Sequence, residues 1–136
     1  MYIDAAGTTG ITNEWPIYST DANPSYLAGS LQASAYLSDA NCASASGACG
    51  AAPAGAFTVA AGATTATVST TAITANSEII ITPDSSLGTR LSVTCNTTLL
   101  TTVPQVGSRT PGTSFTVTLG TAPVTNPDCF SYIIMN

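Results

Sequence analysis

The chain has no histidine and no lysine, and its 136 residues carry only two cations, Arg90 and Arg109. Without histidine the commonest general base is missing, and without lysine so is the amine nucleophile. Neither a Gly-x-Ser-x-Gly elbow nor a phosphate-cradling glycine motif is present. Seven acids against two arginines give a net charge of −5, which argues against nucleic acid or an anionic membrane as partner, since both call for clustered Lys and Arg. No apolar run approaches a membrane span. The N-terminal stretch "MYIDAAGTTGITNEW" lacks the basic region and apolar run of a signal peptide, which predicts synthesis in the cytoplasm. These absences predict a protein that is not an enzyme and holds no cofactor or metal.

What is present is apolar and β-prone. Hydrophobic residues make up 44% and charged residues 7%, so the chain is not a solvated disordered polymer. Its length suits one domain with a modest core and an appended arm. Of its 24 threonines, 20 lie after residue 50, and Thr, Val and Ile favour a half-buried pleated surface.

Composition divides the chain into residues 1–53 and 54–136. The first part is turn-rich, with Trp15-Pro16 as a bulky anchor. In "NPSYLAGSLQASAYLSDAN", Asn23 suits a cap and Pro24 a first helical position. Leu27, Leu31 and Ala35 then fall on one face, predicting a short helix over 24–38. Residues 40–56, "ANCASASGACGAAPAGA", are small and read as a linker or an ordered loop, without a core of their own. The bulky groups of the arm, namely Trp15, Ile17, Tyr18, Tyr26, Leu27 and Leu31, are unfavourable in water. They are therefore candidate anchors onto a partner.

From Phe57 the period changes to two. Strands are expected near 57–60, 64–70, 77–82, 91–96, 103–109, 114–119 and 129–135, with Gly, Pro, Asn and Asp between them. Seven short, turn-separated strands predict an all-β fold, an antiparallel β-sandwich or jelly-roll-like knob. Phe115, Val117 and Leu119 share one face, as do Leu91, Val93 and Cys95.

Two strands are apolar on both faces. Ile79 and Ile81 oppose Ile80, while Phe130, Tyr132 and Ile134 oppose Cys129, Ile133 and Met135. Each needs two covers. A second subunit is one candidate for the outer cover, which makes Ile80, Phe130, Tyr132, Ile133, Ile134 and Met135 candidate interface residues. The arm folding back is the other, and the pattern leaves both open.

Cys42 and Cys49 bracket a short flexible loop, Cys95 has a core-facing register and Cys129 opens the last strand. The favoured pairing is Cys42–Cys49 with Cys95–Cys129, one of three possible. A zinc site calls for close Cys-x-x-Cys pairs or histidine, and neither exists. Glu78, Asp84 and Asp128 include no pair whose spacing promotes it to glycosidase carboxylates above turn formers and surface charges. Asn96-Thr97-Thr98 matches a glycosylation sequon but reads more readily as plain turn chemistry.

The runs "GAFTVAAGATTATVSTTAITANSEIIIT", "SSLGTRLSVT", "SRTPGTSFTVT" and "FSYIIMN" resemble a β-domain of tailed-phage virion proteins, a C-terminal module of fibre-like and other virion-surface proteins. The resemblance covers residues 54–136. Cys95 and Cys129 stand outside its general pattern. It implies a homotrimer on a virion, either a capsid decoration (cement) protein bound to the major capsid protein or the receptor-binding tip of a tail fibre or spike. A bacterial surface or filament subunit is the weaker alternative. About fifty residues precede the β-domain, without heptad, collagen-like or β-helix repeats. A fibre calls for a shaft, so the decoration reading is preferred, with the outer capsid surface as its place. A host-surface glycan is a partner only under the tip reading.

The turn "SRTPGTSF" sets one of the two cations beside a hairpin. Pro111-Gly112 suits the centre of a type II turn, with Gly where φ is positive. Arg109 is expected to bridge carbonyls or a carboxylate, tying the turn or crossing a subunit boundary.

Overall fold

A computed structural model describes residues 41–136. The helix expected over 24–38 and the arm anchors Trp15, Ile17, Tyr18, Tyr26, Leu27 and Leu31 lie outside the described residues.

The described residues form a β-sandwich of seven strands. In chain order these are β1 (Asn41–Ala43), β2 (Ala54–Val59), β3 (Thr65–Ser69), β4 (Glu78–Pro83), β5 (Gln105–Thr110), β6 (Ser114–Thr118) and β7 (Asp128–Met135). One sheet has the order β1-β2-β7-β4 and the other β3-β6-β5. All pairings are antiparallel except that of β1 with β2.

Six strands follow the expected period, and their inner faces meet in one core. Val68, Phe115 and Val117 from the smaller sheet face Phe57, Val59, Phe130, Tyr132 and Ile134 from the larger. The four described aromatic side chains all lie there. Phe57 stacks on Phe130 with ring centroids 5.5 Å apart, and Phe115 meets Tyr132 edge-on at 5.5 Å. Each such burial contributes about 1.5–3 kcal/mol, as does each buried Val, Leu or Ile beside them, so rings and aliphatic side chains together hold the two sheets.

Residues 41–53, expected as a linker or an ordered loop, are ordered and belong to the sandwich, with the short β1 as the part not expected. The loop between β1 and β2 crosses to the smaller sheet, where the Cys49 N–H donates to the Ser69 carbonyl (2.9 Å) and the Ser69 N–H to the Gly47 carbonyl (2.8 Å). The Thr58 hydroxyl donates to the Ala45 carbonyl (2.8 Å), and the Cys42–Cys49 disulfide closes the loop. Small residues make this close approach possible. Gly47 has φ +77°, and a Cβ there would sit 2.3 Å from the Thr67 carbonyl oxygen.

The strand expected over 91–96 does not form. Asp84 accepts hydrogen bonds from the Ser86 N–H (2.9 Å) and hydroxyl (2.6 Å), capping a 3-10 turn, Ser85–Leu87. That turn runs into one α-helical turn, α1 (Gly88–Leu91), which ends at Ser92 in the left-handed region (φ 56°). The alternation Leu91, Val93, Cys95 misled because Leu87, Leu91 and Cys95 also fit a spacing of four, and the cap signal sits upstream. The three residues do share a face, but the element differs. They pack with Ala56 and Cys129 in a second small cluster on the outer face of the larger sheet.

Both disulfides follow the favoured pairing, Cys42–Cys49 and Cys95–Cys129. No free cysteine remains.

Candidate functional site

The two-faced β7 resolves into three surfaces. Phe130, Tyr132 and Ile134 point into the core and are buried, so their side chains are not available to an interface, contrary to the candidate set above. Cys129, on the opposite face, is covered by the chain's own segment 85–95 and bonded to Cys95. This cover is neither a second subunit nor the arm, the two candidates the pattern suggested. Arg90 fastens it by donating to the Asn41 side-chain carbonyl and, at 3.0 Å, to the Cys42 carbonyl.

That cover stops half way. Ile133, Met135 and Ile80 remain 51%, 50% and 49% exposed. The register sets Ala54, Ile133 and Ile80 side by side across β2, β7 and β4, giving an apolar row on the outer face of the larger sheet. Large apolar residues left in contiguous patches mark contact surfaces more often than scattered ones do.

The row ends at β4, the edge of its sheet. The Asp84 N–H donates to the Cys129 carbonyl (2.9 Å). By antiparallel alternation, Glu78, Ile80 and Thr82 therefore bond to β7, while Ile79, Ile81 and Pro83 turn their backbone groups outward. Among the described residues, no bond beyond the β7 ladder satisfies the Ile79 or Ile81 backbone. The apolar face was legible in the two-faced pattern; the open edge was not, because strand order is invisible in sequence.

The other sheet edges are blunted. β1 is three residues long, and its Cys42 carbonyl accepts from Arg90. β3 is bridged by Ala48 at Ser69. β5 carries a bulge between Val106 and Ser108 and exposes nearly all of its residues, which are polar except at Val106 and Gly107.

Arg109, the cation at the hairpin, donates to the Ser77 carbonyl at 2.6 Å. It thus ties the end of β5 in one sheet to Ser77, the residue before β4 in the other. Its turn has the expected form: the Thr113 N–H donates to the Thr110 carbonyl (3.0 Å), and Gly112, after Pro111, has φ +68°.

Of the three described carboxylates, those of Asp84 and Asp128 are engaged in the fold and that of Glu78 is exposed. Glu78 starts β4 opposite Met135. Asp84 and Asp128 line one cavity of about 390 Å³ together with Asn96, Thr98 and Leu99. The Ser86 hydroxyl and N–H hold the Asp84 carboxyl below the usual carboxylate range against a small opposing effect of burial. Asp128, buried at the start of β7, accepts from the Asn96 amide at 2.8 Å. The Asn96 side-chain oxygen in turn accepts from the Thr98 N–H at 3.0 Å. The sequon asparagine is thereby committed to a turn, with its amide nitrogen facing a carboxylate. Among the described residues no group of three His, Cys, Asp or Glu is placed to hold a metal, and no helix is long and apolar enough to cross a membrane.

A second exposed apolar set, missed in the sequence, is Leu99, Val103 and Val124 on the loops 97–104 and 119–127. Aromatic groups of the kind that stack on sugars are absent from the described surface, since all four described aromatics are buried.

No protein-family model, curated protein or solved structure matches the chain.

Proposed function

We propose that this protein is a structural component of a bacteriophage virion, a capsid decoration protein that docks on the major capsid protein and associates with its own copies. The observation that carries the reading is the half-covered outer face of the larger sheet, where Ala54, Ile133 and Ile80 form an apolar row bordered by Met135. A disulfide-closed knob whose buried polar side chains, among the described residues, all find hydrogen-bond partners fits a binding and stabilising role. The resemblance of residues 54–136 to phage virion β-domains supplies the biological setting. The receptor-binding tip of a tail fibre is a weaker reading, because the described surface offers no aromatic platform for a host glycan.

Copy number per particle tests the proposal, by quantitative mass spectrometry of purified virions. Hundreds of copies are expected for a shell protein. A few tens or fewer would move it to the tail, and absence from the particle would end the virion reading.

A further inference from the structure

We infer that the β4 edge is a self-association site, at which a second copy of this chain pairs its own β4 antiparallel across a two-fold axis at Ile80. An edge strand presents unpaired N–H and C=O groups and is a ready template for another strand, and proteins ordinarily blunt such edges with charge, bulges, proline or short length. Here three edges are blunted as described above. β4 is six residues long and regular, and its centre reads Ile79-Ile80-Ile81 without a charge. Glu78 and Pro83 stand only at its ends.

The segment matches itself better than it matches a different partner. With the axis at Ile80, Ile79 lies opposite the Ile81 of the second copy, and Ile81 opposite its Ile79. These are the residues whose backbone groups turn outward, so each pair exchanges two N–H to C=O bonds, four in all. Glu78 falls opposite Thr82 rather than opposite a second Glu78, so no like-charge pair forms. The two Ile80 side chains meet on the outer face, and the apolar row runs on through both copies as Ala54-Ile133-Ile80 and its mirror. The chain has no lysine, and both of its arginines are engaged at internal carbonyls. A neutral, self-complementary strip therefore suits a second copy better than a charged peptide.

The contact does not depend on the virion reading, and it replaces the three-fold count that the resemblance implies with pairs. Light scattering of the full chain at tens of micromolar should give about twice the 13.6 kDa of one chain. Ile80→Lys, at a half-exposed position, should weaken association at least tenfold while leaving the melting temperature of the fold nearly unchanged. Ile80→Cys should form an interchain disulfide under mild oxidation, because the two Ile80 positions face each other as a non-hydrogen-bonded pair, with Cα atoms roughly 4.5 Å apart. Thr82→Cys, two residues off the axis, should not. A monomer at these concentrations, a trimer, or crosslinking at Thr82→Cys in preference to Ile80→Cys would overturn the inference. None of those results would alter the copy-number test of the virion reading.

Discussion

Gly47 and Gly112 share a left-handed backbone (φ +77° and +68°) but differ in their surroundings. Gly112 has nothing within 4 Å of where a Cβ would sit, whereas at Gly47 that atom would lie 2.3 Å from the Thr67 carbonyl oxygen. Gly112→Ala should cost about 1–2 kcal/mol, the strain of placing an L-residue in this region. Gly47→Ala adds a backbone collision and must displace the bond from the Ser69 N–H to the Gly47 carbonyl. Its loss should exceed about 4 kcal/mol, the range reserved for disrupted cores and networks. Urea unfolding of both variants checks this, and equal midpoints would show that the 44–50 loop yields easily. The turn glycine at 112 was legible from Pro111-Gly112; the need for glycine at 47 was not, because it comes from a strand distant in sequence.

At the scale of elements, the segment 85–95 shows how two local patterns compete. Alternation over Leu91, Val93 and Cys95 favours a strand, whereas Asp84 with Ser85-Ser86 favours a capped turn, and the cap prevails because the larger sheet offers Ala56 and Cys129 as a surface to cover. Cys95–Cys129 holds that cover over a separation of 34 residues, and Cys42–Cys49 closes only 7. Loop-closure entropy assigns about 4 kcal/mol to the longer bridge and about 2.5 kcal/mol to the shorter. Replacing Cys95 and Cys129 together with alanine should therefore destabilise more than replacing Cys42 and Cys49. Only the first change should speed hydrogen exchange across 85–95. If the shorter bridge proved the more costly to remove, stitching of the two sheets would outweigh closure entropy.

For the molecule as a whole, the central core is tied to pH through Tyr132. Burial pushes its phenol up from 10.0 to about 12, and its hydroxyl donates to the Ala52 carbonyl at 3.1 Å. Because the folded-state value is raised, the stability it contributes is complete below pH 10 and is lost as pH rises from 10 towards about 12. The wild-type protein should hold its denaturant midpoint up to that window and then fall. Tyr132→Phe should start about 1 kcal/mol lower, having lost one hydrogen bond, and show a shallower alkaline limb. Parallel alkaline limbs for the two proteins would assign the loss to other groups.

By itself the sequence determined the all-β class, six of the seven strands, the inward face of β6, the Pro111-Gly112 turn and a favoured disulfide pairing. These depend on period, turn chemistry and local spacing, all of which act over a few residues. Strand order was decided only by the tertiary structure, and with it the facts that matter for function. It made β4 an edge and left Ile80, Ile133 and Met135 half exposed, while Phe130, Tyr132 and Ile134 went into the core. It also brought Arg109 to the Ser77 carbonyl and carried residues 41–53 into the sandwich. The physical reason is that an apolar side chain in a strand specifies that it must be covered, while what covers it is fixed by contacts between segments far apart in the chain.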